Sequence, residues 1–195
     1  SKRFCDNWDD VFWRAGHLRT LCPGKLRGEV MFQVVIDGAE LPVTKLVWQT
    51  DKIGQAASVS CTYPKQVYSA ENGQSVLLVC EGEVRFCGHI FQVQRGEELE
   101  TIQAYDQLRY LMFKDTYLFE KQTVDKIVAA IAADMGMTLG SLCAGQYAMD
   151  LVMEDKKLMD IMQTAIQINE DNTGQAPVLY DDTGNLSLVE PGKLI

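Results

Sequence analysis

The segment AYDQLRYLMFKDTYLF, residues 104–119, divides the chain into two parts that differ in hydrophobic period. It contains five aromatic residues, nearly a third of all Phe, Trp and Tyr in the protein, together with four charged residues. Aromatic side chains bury large areas, so this segment is expected to concentrate packing energy in a core or an interface. The sequences on either side of it indicate which.

Before this segment, apolar and polar residues alternate with a period of two, and Val, Ile, Thr and aromatic residues are frequent. Both features are typical of β-strands. Five or six strands are predicted, within residues 29–37, 43–50, 56–63, 75–82, 84–95 and 99–105. Turns are predicted at Asp37-Gly38, Asn72-Gly73, Glu81-Gly82 and Arg95-Gly96. Short antiparallel strands this close together predict a small barrel or sandwich.

After this segment, the apolar residues follow a helical period. The spacing predicts a helix over 123–136, with Thr123 as N-cap and Gly136 just past the end. A second helix is predicted over 155–169 with Asp155 as its N-cap, followed by a hairpin of 177–182 and 185–190. The apolar stripes of the two helices are Val124, Ile127, Val128, Ile131 and Met135, and Leu158, Ile161, Met162, Ala165 and Ile166.

The predicted fold is α+β, with three parts. Residues 1–27 form an N-terminal arm, residues 28–111 an antiparallel β-barrel domain, and residues 112–195 a smaller α+β domain with two helices and a C-terminal hairpin. In the arm, Phe4, Trp8 and Phe12 recur every four residues beside Trp13, as on one face of a helix. This stripe is equally compatible with folding back on its own domain and with docking on another subunit.

Composition and charge exclude several function classes. The net charge is −9, which argues against nucleic-acid binding that depends on neutralising phosphates. The charge is uneven: residues 1–27 hold six basic and three acidic residues, and residues 150–195 hold three basic and nine acidic residues. No apolar run reaches the roughly 20 residues of a membrane span, and no secretory leader is recognisable. We therefore expect a protein made in the cytoplasm, without membrane insertion and with six reduced cysteines.

The chain offers few groups for catalysis. His17 and His89 are the two histidines, and Cys87 and His89 are expected on one face of a strand, as a packed pair or, less favourably, as a thiol–imidazole or metal pair. Zinc-site, phosphate-loop and metalloprotease motifs are absent from the sequence. The adjacent acids Asp9-Asp10, Glu97-Glu98 and Asp181-Asp182 are more typical of solvated loops than of a two-carboxylate hydrolase. No catalytic residue, metal or cofactor is predicted, and the protein is not expected to be an enzyme.

The 104–119 segment, followed by TVDKIVAAIAADMGMTLG and then by KKLMDIMQTAI, resembles the XkdQ-like proteins of contractile phage tails and phage-derived particles. Family members have a similar run, A-Y-D-x-L-R-Y-L-x-x-K-D-T-Y-x-F, after an F-x-G-x-I segment that corresponds here to FCGHI. The resemblance covers roughly residues 29–190. Chains of the family usually continue beyond the point at which this sequence ends, so a truncated or short form is expected.

The resemblance implies a baseplate hub similar to that of T-even phages, in which tube-like barrels of a homotrimer imitate the six-fold tail tube. The implied partners are the tail tube protein, the spike and other baseplate proteins, and the implied location is the virion tail or a phage-like particle. Two alternatives stay open. One is a tail-tip hydrolase or peptidoglycan-binding module that acts on the cell wall, and the other is a chaperone-like assembly factor.

In this interpretation, the 104–119 segment joins the last barrel strand to the second domain and its aromatic side chains wedge the two domains together. The hydrophobic pattern predicts that the side chains of Leu108 and Tyr110 are buried. The candidates for the domain junction or an interface are Tyr105, Asp106, Leu108, Arg109, Tyr110, Asp115, Tyr117 and Phe119.

Overall fold

The first unit of the fold is an antiparallel sheet. The computed structural model describes residues 20–21, 31–50, 55–190 and 192. Within these residues the sheet has eight strands, β1 (Thr20–Leu21), β2 (Phe32–Ile36), β3 (Ala39–Leu41), β4 (Lys45–Gln49), β5 (Ser58–Pro64), β6 (Ser75–Cys80), β7 (Glu83–Arg95) and β8 (Leu99–Tyr105). Their order is β1-β4-β5-β8-β7-β6-β2-β3, and all neighbours are antiparallel.

This antiparallel sheet is a curled half-barrel, which confirms in part the antiparallel β-barrel that the sequence predicted. In the described part of the chain, β1 and β3 lie at opposite ends of the strand order and do not pair with each other. A closed barrel requires its two edge strands to pair. Here the edge strand β3 has three residues and was not predicted at all.

The alternation of side chains places one face of the sheet on a core. In β5, the side chains of Val59, Cys61 and Tyr63 are buried while their neighbours are half-exposed. The turns between β2 and β3 and between β6 and β7 have positive φ at both central residues, Asp37-Gly38 and Glu81-Gly82. This type I′ geometry matches the twist of the strands, and both predicted turns are confirmed. β7 extends through residue 95, so the next turn begins at residue 96.

The second unit combines short helices with small sheets. It contains a 3-10 helix (Gln107–Met112), β9 (Lys114–Gln122), α1 (Val124–Asp134), β10 (Leu139–Leu142), β11 (Met149–Lys157), α2 (Leu158–Thr173), β12 (Val178–Asp182) and β13 (Asn185–Val189). β9 and β11 form an antiparallel ribbon. β13 pairs with β12 as the predicted hairpin and, in parallel, with β10.

Both predicted helices are confirmed, with one wrong N-terminus. α1 follows Thr123, whose backbone is extended, and Gly136 adopts positive φ just past its end. α2 begins at residue 158, three residues later than predicted, because β11 runs directly into it. Asp155 therefore lies in a strand and is not an N-cap. Gly174, in the left-handed conformation, ends α2.

β9 and β11 were missed because their sequences give a weak alternation signal. Leu118 and Val152 are exposed register partners on the outer face, next to the inward-facing residues Phe119 and Leu151. The pairing also shifts register near each end of the ribbon. Apolar residues on both faces together with bulges remove the period of two on which a strand prediction depends.

The buried apolar residues form two clusters, one inside the curled sheet and one in the second unit. Leu108 and Leu111 of the 3-10 helix belong to the second cluster, together with apolar residues of α1, α2 and the three-stranded sheet. The division of the chain into domains at residues 27 and 111 stays a prediction. The aromatic stripe of residues 4–13, Asp9-Asp10 and His17 lie outside the described residues. Neither α1 nor α2 is long and apolar enough to cross a membrane.

Candidate junction between the two units

Asp106 connects the sheet to the second unit. Its side chain is only 3% exposed, and its two carboxylate oxygens accept hydrogen bonds from different backbone amides. Oδ2 accepts from the N–H of Ala57, before β5, at 2.9 Å, and Oδ1 accepts from the N–H of Leu108, in the 3-10 helix, at 3.0 Å. The Asp106 N–H in turn donates to the Ala57 carbonyl at 3.1 Å. Asp106 therefore lies between β8 and the 3-10 helix, where its side chain caps the N-terminus of that helix. The same side chain also binds the segment before β5.

The burial of Asp106 makes its charge costly. Burial raises the pKa of this carboxyl to about 7, an effect that the two backbone N–H donors oppose. The negative charge of Asp181 raises the pKa further. Asp106 is thus expected to change its charge near neutral pH.

Asp181, in β12, is the second acid of the junction and is half-buried. Its Oδ1 accepts a hydrogen bond from Nε2 of Gln107 at 2.5 Å, and its Oδ2 accepts from the N–H of Gly184 at 3.0 Å. Burial raises the pKa of this carboxyl, the bonds from Gly184 and Gln107 oppose that shift, and the charge of Asp182 adds to it. The hydrogen bond from Gln107 to Asp181 joins the β12–β13 hairpin to the residue that follows Asp106.

The tip of this hairpin lies against β7. Gly184 has φ of +96°, and a Cβ added there would be 3.3 Å from Sγ of Cys87. Burial raises the pKa of the Cys87 thiol, and the charge of Asp181 adds to the effect. Among the described residues, no group of three or more His, Cys, Asp or Glu side chains has a geometry suited to a metal ion. Cys87 lies next to the hairpin tip. His89 lies opposite Tyr105 in the pairing of β7 with β8.

Between the two units is a pocket of about 140 Å³, the junction pocket. Asp106, Asp181 and Arg85 provide its charged groups. Its apolar wall is formed by side chains of β4, β7, the 3-10 helix and β12, namely Trp48, Phe86, Leu108 and Leu179.

An aromatic cluster lies on the outer surface of the junction. The ring of Tyr105 meets the ring of Phe91 edge to face at 5.4 Å, and Tyr110 is 5.6 Å from the same Phe91 ring. The guanidinium of Arg109 is 5.1 Å from the centre of the Tyr105 ring, within the range of a cation–π contact. Tyr110 is 42% exposed, so its predicted burial is wrong, whereas Leu108 is 4% exposed and its predicted burial is confirmed.

The eight predicted junction residues fall into two groups. Five of them, residues 105, 106 and 108–110, surround the junction. The other three lie on β9: Phe119 belongs to the second core, Tyr117 stacks on it at 5.4 Å, and Asp115 is exposed. The Tyr117 hydroxyl donates to Asp134 at 2.9 Å, and burial with this acid raises its pKa to about 12.

Sequence reasoning missed Gln107 and two hydrogen-bond partners, Ala57 of Asp106 and Asp181 of Gln107. Ala57 has no chemical signal, Gln107 was inside the motif but was not selected, and Asp181 was noted only as part of an acidic loop. The signal available for Asp181 was its place before the Thr183-Gly184 turn, where an Asp side chain commonly accepts a bond from the turn backbone.

Residues 46–195 match the model of a protein family described as YQBQ-like. The chain belongs to this family. It is 31% identical over 144 residues to the phage-like element PBSX protein XkdQ of Bacillus subtilis, which covers 72% of this chain and 44% of XkdQ. It is 32% identical over 124 residues to the Bacillus subtilis protein YqbQ, which covers 62% of this chain and 38% of YqbQ. The predicted resemblance to XkdQ-like proteins is confirmed, and the chain spans less than half the length of these two relatives.

Two solved tail proteins share the fold at low sequence identity. The 43 kDa tail protein of prophage MuSo2 from Shewanella oneidensis superposes with a TM-score of 0.64 and 17% identity, over 83% of this chain and 52% of that chain. The tail protein from Neisseria meningitidis superposes with a TM-score of 0.60 and 16% identity, over 82% of this chain and 50% of that chain. The fold of this chain is therefore the fold of about half of each tail protein.

Proposed function

We propose that this protein is a structural, non-enzymatic component of a phage tail or phage-like particle, where it forms part of the baseplate hub between the tail tube and the central spike. The observation that carries the proposal is the shared fold: a curled antiparallel sheet followed by a helix–strand unit, as in two solved tail proteins. The similarity to the phage-like element protein XkdQ supports the same role.

The junction supports a structural role because its two acids, buried Asp106 and half-buried Asp181, accept hydrogen bonds from groups of the same chain. Asp106 and Asp181 accept hydrogen bonds from backbone amides and from Gln107, and these bonds hold the sheet, the 3-10 helix and the hairpin together. A two-carboxylate hydrolase needs carboxyl groups available to substrate. These two acids instead fix the relative position of the two units.

In its full-length form, the protein is proposed to form a homotrimer through the open edges of the sheet. Ile36 and Ala39 flank the type I′ turn as a hydrogen-bonded pair, so the N–H of Glu40 points away from β2. An unpaired N–H on an edge strand is available to a strand of another subunit. Glu40→Pro removes this donor, and Glu40→Ala removes only the side chain. We expect the proline variant to lose the trimer and the alanine variant to keep it.

The location is tested on assembled particles. Gold-labelled antibodies against the protein, imaged on purified particles, should bind at the end of the tail tube where the spike is attached. A protein that is present during assembly but absent from finished particles is a transient assembly factor, and this result would overturn the proposal. Release of soluble fragments from purified peptidoglycan by the protein would overturn its non-enzymatic part.

A further inference from the structure

The second unit contains a pocket of about 330 Å³ where α1 begins and α2 ends, the helix-end pocket. It is lined by Val124 at the start of α1, by residues 143–145, by Asn169 near the end of α2, by residues 174–177 and by Glu190. None of these residues lines the junction pocket. The helix-end pocket is therefore a separate candidate site, built within the second unit.

Asn169 is 2% exposed, and only one end of its side-chain amide is hydrogen-bonded. Its Nδ2 donates to the carbonyl of Gln175 at 2.9 Å and to Oγ1 of Thr173 at 3.3 Å. Because the Gln175 carbonyl can only accept, this bond fixes the orientation of the amide group. Oδ1 is buried and accepts no hydrogen bond from the described residues. A buried acceptor without a donor is unfavourable, so Oδ1 is suited to a donor that a ligand brings.

The walls of the pocket are held by hydrogen bonds and close packing. The N–H of Gly145 donates to Oδ1 of Asp125 at 2.9 Å. A Cβ added at Gly145 would be 2.9 Å from the backbone nitrogen of Val124, so this wall lies directly against the start of α1. The bond from Asn169 to Gln175 holds the opposite wall. The pocket is therefore formed before a ligand binds, which lowers the cost of binding.

The electrostatics of the pocket favour a cation. Glu190 supplies a carboxylate, and none of the described lining residues is Lys or Arg. The C-terminal end of α2, where helix carbonyls carry partial negative charge, meets the pocket at Gly174. The last turn of α2 contains Glu170 and Asp171 and no basic residue. The N-terminal end of α1 has the opposite polarity, but it already has an acid, Asp125, in its first turn.

Apolar side chains complete the pocket. Val124, Ala144, Ala176 and Pro177 line it beside the polar groups. A lysine side chain combines a stem of four methylene groups, which packs on apolar surface, with an ammonium group that donates three hydrogen bonds. An arginine is better matched by paired acceptors in one plane, such as both oxygens of a carboxylate. The acceptors of this pocket, an amide oxygen and a carboxylate on different elements, favour lysine.

We propose that the helix-end pocket binds the side chain of a lysine from another protein of the particle. The ammonium group donates to Oδ1 of Asn169 and faces the carboxylate of Glu190, and the methylene groups lie against Val124 and Pro177. The assignment of the partner to the particle rests on the proposed function, whereas the preference of the pocket for a lysine side chain does not.

The first test titrates the 195-residue chain with N-acetyl-lysine methylamide and follows the NMR signals. We expect saturable shifts of the backbone amides of Gly145 and Gly174 and of the side-chain amide of Asn169. N-acetyl-norleucine methylamide has the same carbon chain without the ammonium group and should bind at least about tenfold more weakly. Absence of saturable shifts, or equal affinity for the two probes, would overturn the proposal. Tighter binding of N-acetyl-arginine methylamide would overturn the choice of lysine.

A pair of variants locates the binding of the lysine probe. Glu190→Gln removes the carboxylate of the pocket, and we expect the affinity to fall about tenfold. Asp171→Asn removes the same charge from the exposed last turn of α2, outside the lining, and should change the affinity by less than about twofold. Equal losses in the two variants would show a general effect of charge and overturn the site.

The partner is identified on purified particles with a carbodiimide, which joins a carboxylate to an amine in contact with it. We expect mass spectrometry to find Glu190 joined to a lysine of another tail protein. A link to Lys193 of the same chain, or no link at Glu190 in particles that contain the protein, would overturn binding of a partner. If the protein is absent from finished particles, the proposed function fails, and the probe titration still decides whether the pocket binds lysine.

Discussion

Two buried acids, one at the far end of the sheet and one at the junction, are held in different ways. Glu100, in β8, is 1% exposed and accepts a hydrogen bond from the Tyr63 hydroxyl at 3.1 Å, with Nε of Arg95 at 3.6 Å. Asp106 is 3% exposed, accepts two backbone N–H bonds and has a second acid, Asp181, as its charged neighbour.

The difference distinguishes two regions by the charge balance of their buried acid. The fixed region, around Glu100, has a nearby cation, and the adjustable region, around Asp106, does not have one among the described residues. Glu100 has a nearby cation, so its charge is balanced within the sheet. Asp106 has strong directional bonds but no balancing charge in the described part of the chain, so the junction is sensitive to protonation and to any cation that reaches it. We therefore expect a change of pH or the binding of a cation to affect the junction and not the sheet.

The largest effect is expected for Leu108→Asp. Leu108 packs in the second core beside Asp106, and a new carboxylate there is buried next to an existing one without a cation. We expect a loss of about 4 kcal/mol or more in the free energy of unfolding, or failure to fold. Tyr110→Asp is the matched control, because its exposed ring should limit the loss to about 1 kcal/mol in urea denaturation. Equal losses would show that the junction does not distinguish the two positions.

The comparison of the acids is tested by Asp106→Ala against Glu100→Ala. Asp106→Ala leaves the buried N–H of Leu108 and the part-buried N–H of Ala57 without an acceptor, and we expect a loss of about 3 kcal/mol. Glu100→Ala leaves the Tyr63 hydroxyl, which can rotate, and the half-exposed Arg95, so about 2 kcal/mol is expected. Urea denaturation at pH 6 measures both. A larger loss for Glu100→Ala would reverse the assignment of fixed and adjustable regions.

The pH dependence of stability sharpens the same comparison. Asp106 has a folded-state pKa raised to about 7, so between about pH 4 and pH 7 the folded state holds a proton that the unfolded state has released. Its contribution is fully present below about pH 4 and is lost as the pH rises through 7. We expect a fall of about 4 kcal/mol in the free energy of unfolding from this site between pH 4 and pH 7, because each pH unit of that window contributes about 1.4 kcal/mol. Asp181→Asn should reduce the fall, and Asp182→Asn should reduce it less. An identical pH profile for the two variants would contradict the coupling of Asp106 to Asp181.

The smallest effect concerns the hairpin tip. Gly184→Ala places a methyl group at positive φ and 3.3 Å from Cys87 Sγ, whereas Gly38→Ala places one at positive φ with no atom within 4 Å. Both substitutions carry the backbone cost of about 1 kcal/mol. We expect Gly184→Ala to cost about 1 kcal/mol more than Gly38→Ala, since it also moves the hairpin from β7. Equal melting temperatures for the two variants would show that the hairpin tip does not pack tightly on β7.

Much of the fold was predictable because its signals are local. The strands of the sheet alternate cleanly, as in β5, and the type I′ turns have glycine at their second position. The helices show an apolar stripe, as at Ile127 and Ile131. The ribbon of β9 and β11 was missed because apolar side chains occupy both of its faces and bulges interrupt the pairing.

The junction was predictable only in part because its contacts are distant in sequence. The segment 104–119 was selected for its aromatic residues, and five of the eight residues chosen from it surround the junction. The partners that define the site, Ala57 and Asp181, come from positions separated by 49 and 74 residues from Asp106 and Gln107, respectively. The hydrophobic period and the composition of a sequence do not indicate which residues distant in the chain form hydrogen bonds with each other. The open edges of the sheet were likewise not predictable, because three-residue β3 is too short to give a strand signal.

The central claim is that this fold serves as a tail hub, and the most direct measurement is the solution mass of the protein in its full-length form by light scattering over a concentration series. The account predicts the mass of a trimer that persists on dilution, with the Glu40→Pro variant at the mass of a monomer. A wild-type protein that is a monomer at every concentration, and stays so when mixed with tail tube protein, would contradict it.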